Sequence, residues 1–82
     1  MTRSVFLHAY KKMLLCLIDA RKASEVTQVE LAKRLGLHQS YVSKFESGDR
    51  RIDVVEFLQI CRSLNADPLA IVATISASLD EH

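Results

Sequence analysis

Glycine occurs only twice in this chain, at Gly36 and Gly48, and each closes a run of helical apolar spacing. Glycine enters the left-handed conformation without the ~1–2 kcal/mol that a Cβ costs there, so it is a common helix stop. Two stops twelve positions apart leave room for a tight turn and one short helix between them. Before the first stop, Leu31, Ala32 and Leu35 recur at helical spacing behind Thr27 and Glu30. Those two residues form a T-x-x-E capping box: the threonine oxygen takes an orphan N–H and the glutamate reaches back to the cap. After Leu37 a second pattern runs over residues 38–47, with Val42 and Phe45 three apart on its inner face. Residues 27–48 therefore read as helix, turn, helix.

The remainder of the chain is helical too, and no strand alternation competes with it. Residues 5–22 place Phe6, Tyr10, Met13, Leu14, Leu17 and Ile18 on one face, and Arg21 continues that stripe. Asp53 and Glu56 give a second capping signature, followed by an inward stripe of Val54, Phe57, Leu58 and Cys61. Asp67 and Pro68 are an N-cap and a proline at the first helical position, and a last helix covers residues 69–79. The expectation is an all-α, compact five-helix bundle that makes one domain of residues 1–82.

An apolar share of 49% with 26% charged residues fits a globular chain of this length. Net charge is only +1, but it is unevenly spread. Residues 1–26 carry five basic and two acidic side chains (+3), residues 27–51 five and three (+2), and residues 52–82 one and five (−4). One end can face a polyanion while the other is turned away. Cys16 and Cys61 sit in apolar runs and match neither a disulfide framework nor a zinc spacing, as expected of reduced core thiols in a cytoplasmic protein. No apolar run approaches the ~20 residues of a membrane span. His8, His38 and His82 have no metal-gathering spacing, and there is no nucleophile motif or phosphate-cradling loop. Neither catalysis nor a cofactor or metal is expected.

A short turn between two helices, with a small residue and a glycine at fixed offsets, is the plan of a helix-turn-helix. Ala32 lies four residues before Gly36, where the second helix crosses close to the first, and Leu31, Leu35, Leu37, Val42 and Phe45 supply the apolar lock. On VTQVELAKRLGLHQSYVSKFESGDRRI, followed by LQICRSLNADPL, the chain resembles the phage repressor and Cro (xenobiotic-response-element-like) family of helix-turn-helix DNA-binding domains. That resemblance implies a lambda-repressor-like fold whose third helix lies in the DNA major groove.

With Val42 and Phe45 turned inward, the outward face of the third helix holds Gln39, Ser40, Ser43 and Lys44. Gln can pair with adenine N6/N7 and Lys with guanine O6/N7, each worth ~1–3 kcal/mol of discrimination. The resemblance places Gln28 and Ser47 at phosphate-contacting positions, with Gln28 helped by the start of its helix. Arg50 and Arg51 are expected to grip the backbone beyond Gly48. Tyr41 can reach the backbone with its hydroxyl or serve as packing. His38 stands where Ser, Thr or Asp usually caps, so it either caps the helix or faces a phosphate. The family often pairs an arginine of the first helix with a glutamate late in the recognition helix, which makes Arg21 and Glu46 an expected structural salt bridge. The extension over residues 1–11 is open between a basic arm, a packing layer and a dimer contact.

Between Asp67 and Asp80 there is no charge at all. Leu69, Val72, Ile75 and Leu79 form a stripe on a helix without a polar face, which suits either a dimer interface or a central core helix. A two-fold dimer reads half-sites about one helical turn (~34 Å) apart. The expected function is a transcriptional regulator of the repressor kind, binding a pseudo-palindromic operator in double-stranded DNA as a homodimer, with control through its concentration or a regulatory protein partner. The alternative is an antitoxin or other protein-interaction module on the same fold, with DNA binding secondary.

Overall fold

The computed structural model describes residues 3–81, so the first two residues of the extension and His82 fall outside it. The described residues form five helices and no strand: α1 (Arg3–Ala23), α2 (Gln28–Leu35), α3 (Gln39–Ser47), α4 (Val54–Ser63) and α5 (Pro68–Ser78). The all-α bundle expected from the sequence is the one the chain adopts. α1 packs along α5 and against α3, while α2 crosses α3 and α4. The core joins Leu14 and Leu17 of α1, Val26, Leu31 and Ala32, Val42 and Phe45 of α3, and Phe57, Ile60, Cys61 and Leu64 around α4.

The starts of α2 to α5 are each capped by a side chain. Thr27 Oγ1 accepts the Glu30 N–H at 3.1 Å, and Asp67 Oδ1 accepts the Leu69 N–H at 3.0 Å. The box at α4 is complete, with Asp53 and Glu56 each accepting the other's backbone N–H. The box expected at α2 is half made, because Glu30 turns instead toward Arg34, 3.5 Å away on the next turn.

Gly36 (φ 71) and Gly48 (φ 88) end α2 and α3 in the left-handed conformation. Two further stops escape a glycine count: Glu25 (φ 58) after α1 and Asn65 (φ 55) after α4. After Glu25, Gly36 and Asn65 the N–H of the next residue reaches back to the carbonyl five positions before it, in Schellman-type turns: Val26 to Arg21, Leu37 to Ala32, Ala66 to Cys61, at 3.1, 2.9 and 2.8 Å. After Glu25 and Asn65 that geometry drops an apolar side chain, Val26 or Ala66, onto the core.

Several inward faces differ from expectation. Phe6 continues the α1 stripe but is 56% exposed, while Ala9 is buried. α1 has 21 residues against 11 in α5, about 31 Å against about 16 Å of helix, so its first turns outrun their cover. On α4 the buried set is Phe57, Ile60, Cys61 and Leu64, leaving Val54 and Leu58 exposed. Both sets have the same i, i+3, i+4, i+7 spacing, and periodicity alone does not choose between them. Leu37 lies at the surface of its turn rather than locking the helix crossing. Cys61 is buried, which pushes its thiol pKa up, and Cys16 is half-buried; both are free thiols.

Candidate nucleic-acid interface

α3 presents its polar face because its apolar one is fully consumed: Val42 and Phe45 have no exposure. Of the outward set, Gln39 and Lys44 are exposed, while Ser40 and Ser43 are half-buried. The Ser43 hydroxyl donates to the Ser40 carbonyl at 3.2 Å. His38 caps the helix, its Nδ1 accepting the Ser40 N–H at 3.1 Å with the Ser40 hydroxyl 3.0 Å away. That use of Nδ1 leaves Nε2 directed elsewhere on an exposed ring.

Behind this face runs a chain of polar contacts. Arg21 grips Glu46 with two parallel bonds, Nε to Oε2 at 2.7 Å and Nη2 to Oε1 at 3.0 Å, and donates Nη1 to the Val26 carbonyl at 2.9 Å. Gln28 Nε2 adds a third donor to Glu46 Oε1 at 2.9 Å. Gln28 Oε1 in turn accepts Gln39 Nε2 at 3.1 Å. The chain joins α1, α2 and both ends of α3. It engages both polar atoms of the Gln28 side chain and leaves its second N–H, beside the backbone N–H groups of Gln28 and Val29 that no carbonyl within the helix can reach. Gln39 keeps its oxygen and one N–H, the pair that matches adenine.

A second cluster lies beyond Gly48. The Tyr41 hydroxyl donates to Glu56 Oε2 at 2.9 Å, and Arg50 Nη1 donates to the same oxygen at 2.8 Å. The Arg50 guanidinium sits 4.7 Å above the Tyr41 ring, and Tyr41 packs tilted against Phe45 at 5.8 Å. Tyr41 thus combines packing with a hydroxyl already engaged by a carboxylate. Burial, and then that bond, pushes its pKa up to about 12. Arg51 stacks 4.4 Å above Tyr10, whose oxygen accepts the Ile52 N–H at 3.1 Å. Ser47 is exposed and donates to the Lys44 carbonyl at 3.0 Å. Glu56 and Tyr10, both central to this loop, have no sequence signal pointing to it; Glu56 reads only as a cap.

On the side of α5, Leu69 is 77% and Val72 49% exposed, whereas Ile75 and Leu79 are half-buried and Ile71 packs on the core. Ser78 is fully buried and closes its hydroxyl onto the Ile75 carbonyl. Val72 and Ile75 share an apolar cleft of about 400 Å³ with Tyr10, Met13, Val54 and Phe57. Among the described residues no helix is long and apolar enough to cross a membrane, and no group of His, Cys, Asp and Glu is gathered to hold a metal.

A helix-turn-helix family model, HTH_3, matches residues 17–71, from the middle of α1 into α5. Among solved structures, an XRE-family like protein from Pseudomonas syringae pv. tomato str. DC3000 is similar over 93% of both chains, with 43% identity and a TM-score of 0.88. No curated protein matches the chain.

Proposed function

The chain belongs to the helix-turn-helix family of the Cro/C1 (XRE) type, whose fold is that of a DNA-binding transcription regulator, and on that footing we propose that it is a sequence-specific repressor acting as a homodimer. Its target is a pseudo-palindromic operator, with α3 in the major groove. Gln39, Ser40, Ser43 and Lys44 read bases; Gln28, His38, Ser47, Arg50 and Arg51 meet phosphates, while Tyr41, its hydroxyl proton given to Glu56, backs Arg50 with its ring. The observation that carries this reading is Gln39: exposed, yet held by Gln28 so that a donor and an acceptor remain free. An oriented amide is what a base contact requires and what a merely solvated helix face does not.

The dimer is supported by the uncharged outer face of α5, where Leu69 and Val72 stand in solvent. The same bare face favours the second reading, an antitoxin or another interaction module that binds a different protein there.

Selection from a random-sequence duplex pool, with sequencing, tests the proposal alongside Gln39→Ala and Lys44→Ala. The expected result is a two-fold-symmetric site whose specificity relaxes at one base per half-site in each variant. No enrichment at low salt would defeat the operator reading and direct attention to a protein partner at α5.

A further inference from the structure

Glu56 is a capping residue by sequence, but in the fold its two oxygens have separate duties. Oε1 accepts the Asp53 N–H at 2.9 Å and completes the α4 cap. Oε2 accepts Arg50 Nη1 at 2.8 Å and the Tyr41 hydroxyl at 2.9 Å. Arg50 Nη1 also donates to the Arg51 carbonyl at 3.2 Å, and its guanidinium lies 4.7 Å over the Tyr41 ring. The side chain so restrained is still 46% exposed, and Glu56 is 23% exposed.

An anionic oxygen at 2.8 Å offers a guanidinium the same kind of partner as a DNA phosphate oxygen. Resting on the reading of Arg50 as a backbone contact, we propose that Glu56 is an internal stand-in for phosphate: it holds Arg50 Nη1 in the free protein and is exchanged there for a DNA phosphate oxygen. The exchange replaces one charge-assisted bond by another, so Arg50 adds less to affinity than an unpaired arginine would. Phosphate contacts carry no base information. Glu56 therefore sets the sequence-independent share of DNA affinity without touching a base. The competitor is an anion at neutral pH, because the Asp53 N–H, then Tyr41 and Arg50, hold its carboxyl below the ordinary range.

The test is a four-protein cycle, with dissociation constants measured by fluorescence anisotropy against a mixed-sequence DNA duplex at low salt: the native chain, Glu56→Gln, Arg50→Ala and the double variant. Glutamine keeps an oxygen for the Asp53 N–H, and thermal unfolding checks that the cap survives. Glu56→Gln is expected to tighten binding roughly two- to fivefold, the scale of a partly exposed ion pair. That gain is expected to vanish in the Arg50→Ala background, while Arg51→Ala weakens both Glu56 forms alike. A gain that persists without Arg50 would mean only a general charge effect and would overturn the proposal, as would no gain. If the native chain binds no duplex, the DNA reading itself falls, a result distinct from an additive cycle.

Discussion

Arg21 and Glu46 meet through two parallel hydrogen bonds of 2.7 and 3.0 Å, with side chains only 11% and 7% exposed. A pair this buried contributes little net, but either partner alone is a stranded charge. Arg21→Ala or Glu46→Ala is expected to cost ~3–5 kcal/mol of stability by urea unfolding. The double variant should lose less than the sum; strict additivity would contradict coupling.

The Gln28 side chain orients Gln39. Gln28→Ala is expected to relax discrimination at the base proposed to meet Gln39, by part of the ~1–3 kcal/mol that Gln39→Ala is expected to remove there. Competition binding with single-base operator variants separates this from a lost phosphate contact, which would weaken all sequences equally.

Helix stops differ in what occupies them. A Cβ on Gly36 would meet nothing within 4 Å, so Gly36→Ala isolates the conformational cost of φ 71, ~1–2 kcal/mol. Glu25 already bears such a cost at φ 58. Glu25→Gly is expected to stabilise the fold by up to ~1 kcal/mol, offset partly by unfolded-chain entropy. Thermal unfolding should move in opposite directions for the two variants, by ~4–8 °C per kcal/mol.

Tyr41 makes alkaline stability pH-dependent. Its pKa rises from 10.0 to about 12, by burial first and then by the Glu56 bond and charge. An acid raised on folding stabilises the fold below its unfolded value and loses that contribution as pH climbs through its folded value. The window is therefore from about pH 10 to about pH 12. Phenolate absorbance, with Tyr10→Phe isolating the Tyr41 step, should show late ionisation, and Glu56→Gln should bring it earlier. Ionisation near 10 in the folded protein would remove this account.

Leu69→Asp with Val72→Asp is expected to abolish the proposed homodimer in sedimentation and to weaken binding to the proposed operator sharply. Both side chains stand in solvent, so helical content should be unchanged. A native chain that sediments as a monomer at all concentrations would instead favour a different occupant of that face.

Helix number, caps and the helix-turn-helix were legible because each rests on local chemistry: Thr27, Asp53 and Asp67 before apolar runs, Gly36 and Gly48 after them. The pairing of Arg21 with Glu46 was legible through family resemblance, not spacing. The stops at Glu25 and Asn65 were hidden, since their left-handed turns are secured by Val26 and Ala66 packing onto distant helices. The rotation of α4 was hidden for the same reason: two equivalent stripes exist, and tertiary packing selects Ile60 and Leu64 over Val54 and Leu58. Glu56 looked complete as a cap, and its second oxygen found Arg50 and Tyr41 only once the chain closed.

The contact chain from Arg21 to Gln39 makes the recognition helix poorly portable. Residues 39–47 moved onto another scaffold would arrive without Gln28 to steer their first side chain and without Arg21 to neutralise Glu46. Conversely, a foreign helix placed here with a hydrophobic residue at position 46 would strand an arginine inside the bundle. Under the proposed function, retargeting α3 to a new sequence is therefore a task for three helices at once, and part of the address is written where no base can reach.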